Sequence, residues 1–379
     1  MAEKRYLFTP GPTPVPPEVL SAMAQPVVHH RGSDFRRLYE RCLARLREVF
    51  RTERDVLLFT ASGTGAMESA VANLCNAGDR VLVVTAGYFG ERWEQIARAY
   101  GCEVDVLAYE WGAAPAADDV AERARGAKAV FLTHSETSTG VVADVQALTA
   151  AAHDAGALSI VDAVSSLGAV PLETDAWRVD VVVSGSQKAL MTPPGIALVS
   201  VSEAAWEQRA DAPRFYFDWR RTRDAQARLD AAFTPAVSLV AGLDVALGLV
   251  LEHGLDASFA HHARLGRACR EGVKAMGLEL FSPDDERSAV VTAVHAPDGV
   301  DADELVKLLR DRYGITLAPG QGPLKGKVFR IGHIGWFDLF DITTALAGVE
   351  LALVELGADI ERGVAVTRAL EAWEGAKVP

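Results

Sequence analysis

The segments "DVLLFT", "DRVLVVTAG", "AVFLTH", "LSIVDAV" and "VDVVVSG" run apolar through their centres instead of alternating with polar residues. Strands with that pattern are buried on both faces. Between them lie "GAMESAVANLC", "GERWEQIARAYG", "DDVAERAR" and "DVQALTAAAHDAG", which read as helices. Strand–helix alternation of this kind predicts a mostly parallel sheet with helices on both sides. "EVDVLAY" adds a strand, and "GIALVSVS" adds another that returns close by.

The pattern changes near residue 235. "AVSLVAGLDVALGLVLEHG" reads as one long helix, followed by a helix at "HHARLGRACREGVKAMG" and a strand at "SAVVTAVHA". A helix at "ADELVKLLRDRYG", a strand at "KVFRIGHIG" and a final long helix at "DLFDITTALAGVELALVELG" complete it. This predicts an α/β chain with a large, mostly parallel-sheet domain over residues 18–255 and a small C-terminal α+β domain over 256–379. Residues 1–17 form an arm, because "TPGPTPVPP" can enter neither a helix nor an inner strand. A helix over Asp34–Phe50 is expected after it, with Ser33 or Asp34 as N-cap.

The formal net charge of -13 argues against a nucleic-acid or anionic-membrane surface, since both need a basic footprint. No apolar run reaches about 18 residues, so no transmembrane helix is expected. The four cysteines, Cys42, Cys75, Cys102 and Cys269, are far apart and form no CxxC pair, which fits a reducing cytoplasm. The nine histidines show no HxxxH or HExxH spacing, so no metal site is expected. The acidic stretch "SPDDERS" reads as a solvated loop.

In open parallel sheets, ligands bind beyond the C-terminal ends of the strands. After "LLFT" comes "ASGTGAME", small residues opening a helix, which suits a phosphate. It is no dinucleotide fingerprint, because Glu68 stands where the third glycine belongs (Gly63-x-Gly65-x-x-Glu68). After "VLVVTAG" come Tyr88 and Phe89; after "VFLTH" come the hydroxyls and Glu136 of "SETSTG". Asp162 ends a wholly apolar strand, where a carboxylate is costly unless partnered. Lys188 follows another, in "SGSQKAL", and a partly desolvated lysine can form a Schiff base with an aldehyde. A phosphate turn, an aromatic, an aspartate and a lysine are the four partners that pyridoxal phosphate requires.

The stretches "FTPGPTPVPPEVL", "ASGTGAMESAVANL", "THSETSTGV", "IVDAVSSLGAVPLETD", "SGSQKALMTPPGIALVSVS" and "FRIGHIG" run in family order along nearly the whole chain. With them the sequence resembles a class V, fold type I, pyridoxal-phosphate-dependent aminotransferase of the alanine–glyoxylate and serine–glyoxylate branch. The resemblance implies that Lys188 holds the cofactor as a Schiff base and moves the proton of the chemistry. It implies that Asp162 pairs with the pyridine nitrogen and that Phe89 stacks on the ring. Ser62, Gly63, Thr64 and Gln187 would serve the phosphate, and Thr137 the ring hydroxyl. Arg330 would grip the substrate carboxylate, and the turn at Gly11 would face the substrate. Thr234, in "LDAAFTPAVSL", would reach the phosphate of a neighbouring subunit, making a homodimer with shared sites.

The activity so implied is a ping-pong transamination from a small amino acid, alanine or serine, to glyoxylate or pyruvate. Two relatives of the same fold stay open: an (S)-ureidoglycine–glyoxylate aminotransferase and an accessory subunit of a soluble hydrogenase. A cysteine desulfurase fits poorly. Its nucleophilic cysteine belongs on a loop, whereas Cys269 falls in an expected helix and "APGQGPLKGK" has no cysteine.

Overall fold

A computed structural model describes residues 4–208, 210–282 and 290–375. Residues 283–288 of the acidic stretch lie outside them.

The central sheet has seven strands: β1 (Asp55–Phe59), β2 (Arg80–Thr85), β3 (Glu103–Ala108), β4 (Ala129–Thr133), β5 (Leu158–Asp162), β6 (Val181–Gly185) and β7 (Ala197–Val201). Their spatial order is β1-β7-β6-β5-β4-β2-β3. β7 runs antiparallel to both of its neighbours, while the pairs β6–β5, β5–β4, β4–β2 and β2–β3 are parallel. The strands are apolar because helices cover both faces. One face packs with Phe35, Tyr39, Leu46 and Leu243, the other with Met67, Val71, Trp93 and Trp219.

Beyond the break at Gly254, whose positive φ ends the run of Val237–Leu251, helix Leu255–Ala275 begins six residues earlier than its periodicity suggests. It packs with helices Leu339–Glu355 and Val364–Glu374 around Leu265, Val273, Leu346 and Leu353. A second sheet, β8 (Val291–His295), β9 (Ala318–Pro319) and β10 (Val328–Gly332), has the order β8-β10-β9 and is antiparallel. Among the described residues, no single helix is long and apolar enough to cross a membrane.

One local expectation is corrected. The helix expected from Asp34 spans Ser33–Phe50, and its N-cap is Gly32, with no capping side chain. Ser33 therefore lies inside the first turn, where Asp34 pairs with Arg37 instead of capping. The short helices Glu203–Glu207 and Trp219–Gln226 were not legible as periodic segments; each starts at a side-chain cap, Ser202 and Asp218 respectively.

The arm is extended and joined to both parts of the chain. Tyr6 and Leu7 pair in parallel with Ile315 and Thr316, and Gly332 N–H donates to the Phe8 carbonyl at 2.7 Å. A Cβ at residue 332 would lie 2.3 Å from the Thr9 oxygen, so only glycine permits this approach. Farther on, the Thr13 hydroxyl donates to the Lys188 carbonyl at 3.1 Å.

Candidate active site

Strand ends β1, β2, β4, β5 and β6 surround a cavity of about 200 Å³. Its lining includes Gly11, Ser62, Gly63, Thr64, Phe89, Asp162, Gln187 and Lys188. They come from five separate stretches of sequence; apart from Gly11 in the arm, they meet because the parallel strands all end on one side of the sheet.

Lys188 follows β6 in a loop that Ser186 closes. The Ser186 hydroxyl donates to the Pro193 carbonyl at 2.7 Å and accepts the Ile196 N–H at 3.3 Å. The Lys188 side chain is buried, and its Nζ donates to the Pro10 carbonyl at 2.6 Å. Its partner is thus a neutral oxygen rather than a carboxylate. Burial pushes the ammonium down to about 8; Asp162 pulls it upward, while Arg330 and Arg92 push it further down.

Asp162 closes β5. Its Oδ1 accepts the Val164 N–H at 2.8 Å, which fixes the carboxylate against the turn that follows. Burial pushes its pKa up to about 6, against that hydrogen bond. A carboxylate held this way, with one oxygen committed to the backbone, is ready for a cationic N–H.

After β1, helix α1 (Gly63–Leu74) starts at the cavity, with Ser62 as N-cap and no side chain capping the first turn. The start of α1 also approaches β6 closely. A Cβ at Gly185 would lie 3.4 Å from the Gly63 nitrogen, and one at Gly63 would lie 2.7 Å from Val164. After β2, helix α2 (Tyr88–Ala99) begins beside Glu136. The Glu136 Oε2 accepts the N–H groups of Phe89 at 2.9 Å and Gly90 at 3.1 Å, and Oε1 accepts from the Ser138 N–H and hydroxyl. Burial raises the Glu136 pKa, and these four donors counter it. Glu136 therefore sets where Phe89 stands.

Arg330, on β10, is buried and comes in from the side. Its Nε and Nη2 donate to the Pro319 carbonyl at 3.1 and 2.8 Å, and Nη1 donates to the Thr137 carbonyl at 2.8 Å. Burial lowers its pKa to about 10. With one N–H left on each terminal nitrogen, the group can take one more planar acceptor end-on.

Three expected residues are not on the cavity wall: Arg330, held by the Pro319 and Thr137 carbonyls, Thr137 and Thr234. The side chain of Thr137 is not on the cavity wall; Ser135, two residues earlier, is. A short hairpin pairs Ser135–Glu136 with Val141–Val142, and Thr137 falls in its turn, where its carbonyl serves Arg330. Thr234 is exposed and lines a separate surface hollow with Thr60, Tyr216 and Phe233. Residues that strand-end reasoning passed over are Arg92, Met67 and Ser165, which also line the cavity. Arg92 and Met67 are inside helices, where strand ends carry no signal.

The residues present fit pyridoxal phosphate. Among the described residues, the buried Oε1 of Gln187 and Oγ of Ser135 have no hydrogen-bond partner, although both residues line the cavity. Buried polar atoms are seldom left so, and here they call for a polar ligand. The first turn of α1 offers N–H groups to an anion. Lys188, Asp162 and Phe89 supply an amine, a carboxylate and a ring on the same walls.

Comparison with known proteins gives the same picture. The family described as "Aminotransferase class-V" matches residues 5–326. The chain is 43% identical over 365 residues to a protein of Synechococcus sp. named soluble hydrogenase, small subunit, covering 94% of this chain and 95% of that one. It is 38% identical over 382 residues to the serine–glyoxylate aminotransferase of Methylorubrum extorquens, covering 97% and 95%. The crystal structure of ureidoglycine–glyoxylate aminotransferase from Bacillus subtilis superposes with a TM-score of 0.94 at 32% identity, covering 99% of each chain. The cavity's lysine, aspartate and phosphate turn, and the matches along the chain, lead to one conclusion: this chain belongs to the class V aminotransferases and is a pyridoxal-phosphate-dependent transaminase.

Proposed function

We propose that this transaminase moves the amino group of a small amino acid, serine or alanine, to glyoxylate or pyruvate in a ping-pong exchange. The observation that carries the reading is the convergence of Lys188 and Asp162, both buried, on one cavity of only about 200 Å³. The serine–glyoxylate relative supports the donor and acceptor.

Pyridoxal phosphate, when bound, supplies an electron sink for the bonds at the substrate Cα. Lys188 would hold it through Nζ, and its amine would take the proton at the substrate Cα and return one. Its lowered pKa leaves a useful share of the amine neutral near pH 7–8, as a general base requires. Asp162 holds a proton on the pyridine nitrogen. Gln187, Ser62, Gly63 and Thr64 bind the phosphate, Ser135 or Thr137 the ring hydroxyl, and Phe89 one face of the ring. Arg330 orients the substrate by its carboxylate, and Gly11 leaves space for it beside Lys188.

The enzyme is proposed to act as a homodimer in the cytoplasm. The exposed rings of Phe215 and Tyr216 lie with Phe233 beside Thr234, a surface suited to a second copy. Thr234 would reach that copy's phosphate. The four cysteines are free and buried, which suits a reducing compartment.

A second donor, ureidoglycine, is favoured by the likeness to the Bacillus subtilis enzyme. The likeness to a hydrogenase-named protein supports the alternative of an accessory subunit of the same fold, for which turnover of none of the donors is expected. Serine, alanine, aspartate and ureidoglycine, each offered with glyoxylate or pyruvate, separate these readings by product analysis. Turnover of serine or alanine with glyoxylate is expected; turnover of neither would overturn the substrate assignment.

A further inference from the structure

Arg92 lines the cavity but belongs to no expected motif. It lies on α2, one turn beyond Phe89. Its guanidinium is 4.8 Å from the Phe89 ring centre and 5.3 Å from that of Tyr88. Its Nη1 donates to the Thr64 hydroxyl at 3.2 Å. Among the described residues no carboxylate pairs with it. Two rings and a hydroxyl therefore hold the cation in place, and most of its N–H donors remain uncommitted.

The local charge is also unbalanced. Lys188 feels two carboxylates, Asp162 and Glu136, and two arginines, Arg330 and Arg92. Two carboxylates thus face three cationic side chains in a chain whose net charge is -13. Partly buried positive charge without a counter-charge is unfavourable unless an anion arrives. Arg330 is engaged with the carbonyls of Pro319 and Thr137 on the other side. Arg92 instead reaches Thr64, in the first turn of α1, where open N–H groups and the helix dipole already favour an anion.

We infer that Arg92 is a cationic anchor for the phosphate of the bound cofactor, clamping it against the Ser62–Thr64 turn. This rests on the cofactor assignment above. A phosphate accepts several charge-assisted hydrogen bonds, and an arginine fork matches it. The rival use of the same cation is a second carboxylate on the amino donor.

The test compares pyridoxal phosphate with pyridoxal, which differs only in the phosphate. Both are titrated by absorbance into cofactor-free wild type, Arg92→Met and Arg92→Gln. Arg92→Gln keeps a donor within reach of Thr64 and serves if the methionine variant fails to fold. The preference for pyridoxal phosphate over pyridoxal is expected to fall about 10- to 100-fold in the variants, with pyridoxal affinity little changed. An unchanged preference overturns the inference, as does equal weakening of both ligands, which would mark lost packing on Phe89. A raised donor KM with unaltered cofactor preference overturns it in favour of the second carboxylate. Wild type that binds neither ligand would overturn the cofactor assignment itself.

Discussion

Gly11 and Lys188 are in direct apposition: a Cβ on residue 11 would lie 2.4 Å from Cδ and 2.5 Å from Nζ of the lysine. Residue 11 also has φ +134, which a side chain disfavours. Gly11→Ala is therefore expected to displace the amine rather than unfold the chain. Cofactor capture, followed as visible absorbance, should slow by about tenfold or more, with little loss in far-UV dichroism. Capture at the wild-type rate would mean that the arm yields and does not define the amine's position.

Lys188 sets a pH dependence. Its pKa is about 8 in the folded state and 10.5 when unfolded. Pyridoxal phosphate reacts with the neutral amine, so its capture rate should rise through about pH 8 and level off above it. Between pH 8 and 10.5 the unfolded chain binds the extra proton, so the stability of the cofactor-free protein should rise with pH across that window. Lys188→Met should remove both effects, together with the visible band. Paired thermal melts at pH 8 and 10 check the second.

Asp162 has the opposite sign. Its folded pKa of about 6 is above the unfolded value of 3.8, so the folded state favours the proton. The associated stability is full below 3.8 and is lost as pH rises through 6. In cofactor-free protein, Asp162→Asn keeps the acceptor for Val164 and should gain Tm relative to wild type as pH goes from 4 to 7. Transamination by the same variant should fall by about 100-fold or more, because the ring nitrogen loses its proton-holding partner.

Glu136→Ala would leave the N–H groups of Phe89, Gly90 and Ser138 without their acceptor. Orphaned buried donors cost about 1–3 kcal/mol each, partly relieved by water. A clear fall in Tm is expected, with weaker cofactor binding because α2 carries both Phe89 and Arg92. Wild-type stability in this variant would show that solvent already reaches the start of α2.

Arg330→Lys keeps a charge but loses the fork. The donor KM is expected to rise by about 10- to 100-fold while the visible band survives. Loss of the band instead would assign Arg330 to holding the Thr137 turn.

The sheet and the residues at its strand ends were legible because a buried parallel strand is apolar until it meets the ligand. Asp162 and Lys188 interrupt such runs, and charges there stand out. Arg92 did not stand out, since an arginine inside an amphipathic helix looks like any solvated one until packing turns it inward. Gly11 became readable only through the resemblance, because its constraint comes from a lysine far along the chain. Ser135 and Thr137 show a finer limit. Both are small hydroxyls in one stretch, and only the hairpin at Ser135–Glu136 decides which side chain faces the cavity. The cap at Gly32 was missed because a serine and an aspartate at the same boundary are stronger capping signals than a glycine.

The arm has a consequence for biogenesis. Tyr6 and Leu7 have their strand partners at Ile315 and Thr316, and Phe8 has its donor at Gly332. The ribosome makes those partners long after it has made the arm. Lys188 can therefore emerge, and the sheet around it can form, before the Pro10 carbonyl is held over its amine. Nascent chains halted before residue 315 should present an open lysine, and the finished pocket dates from the last part of translation.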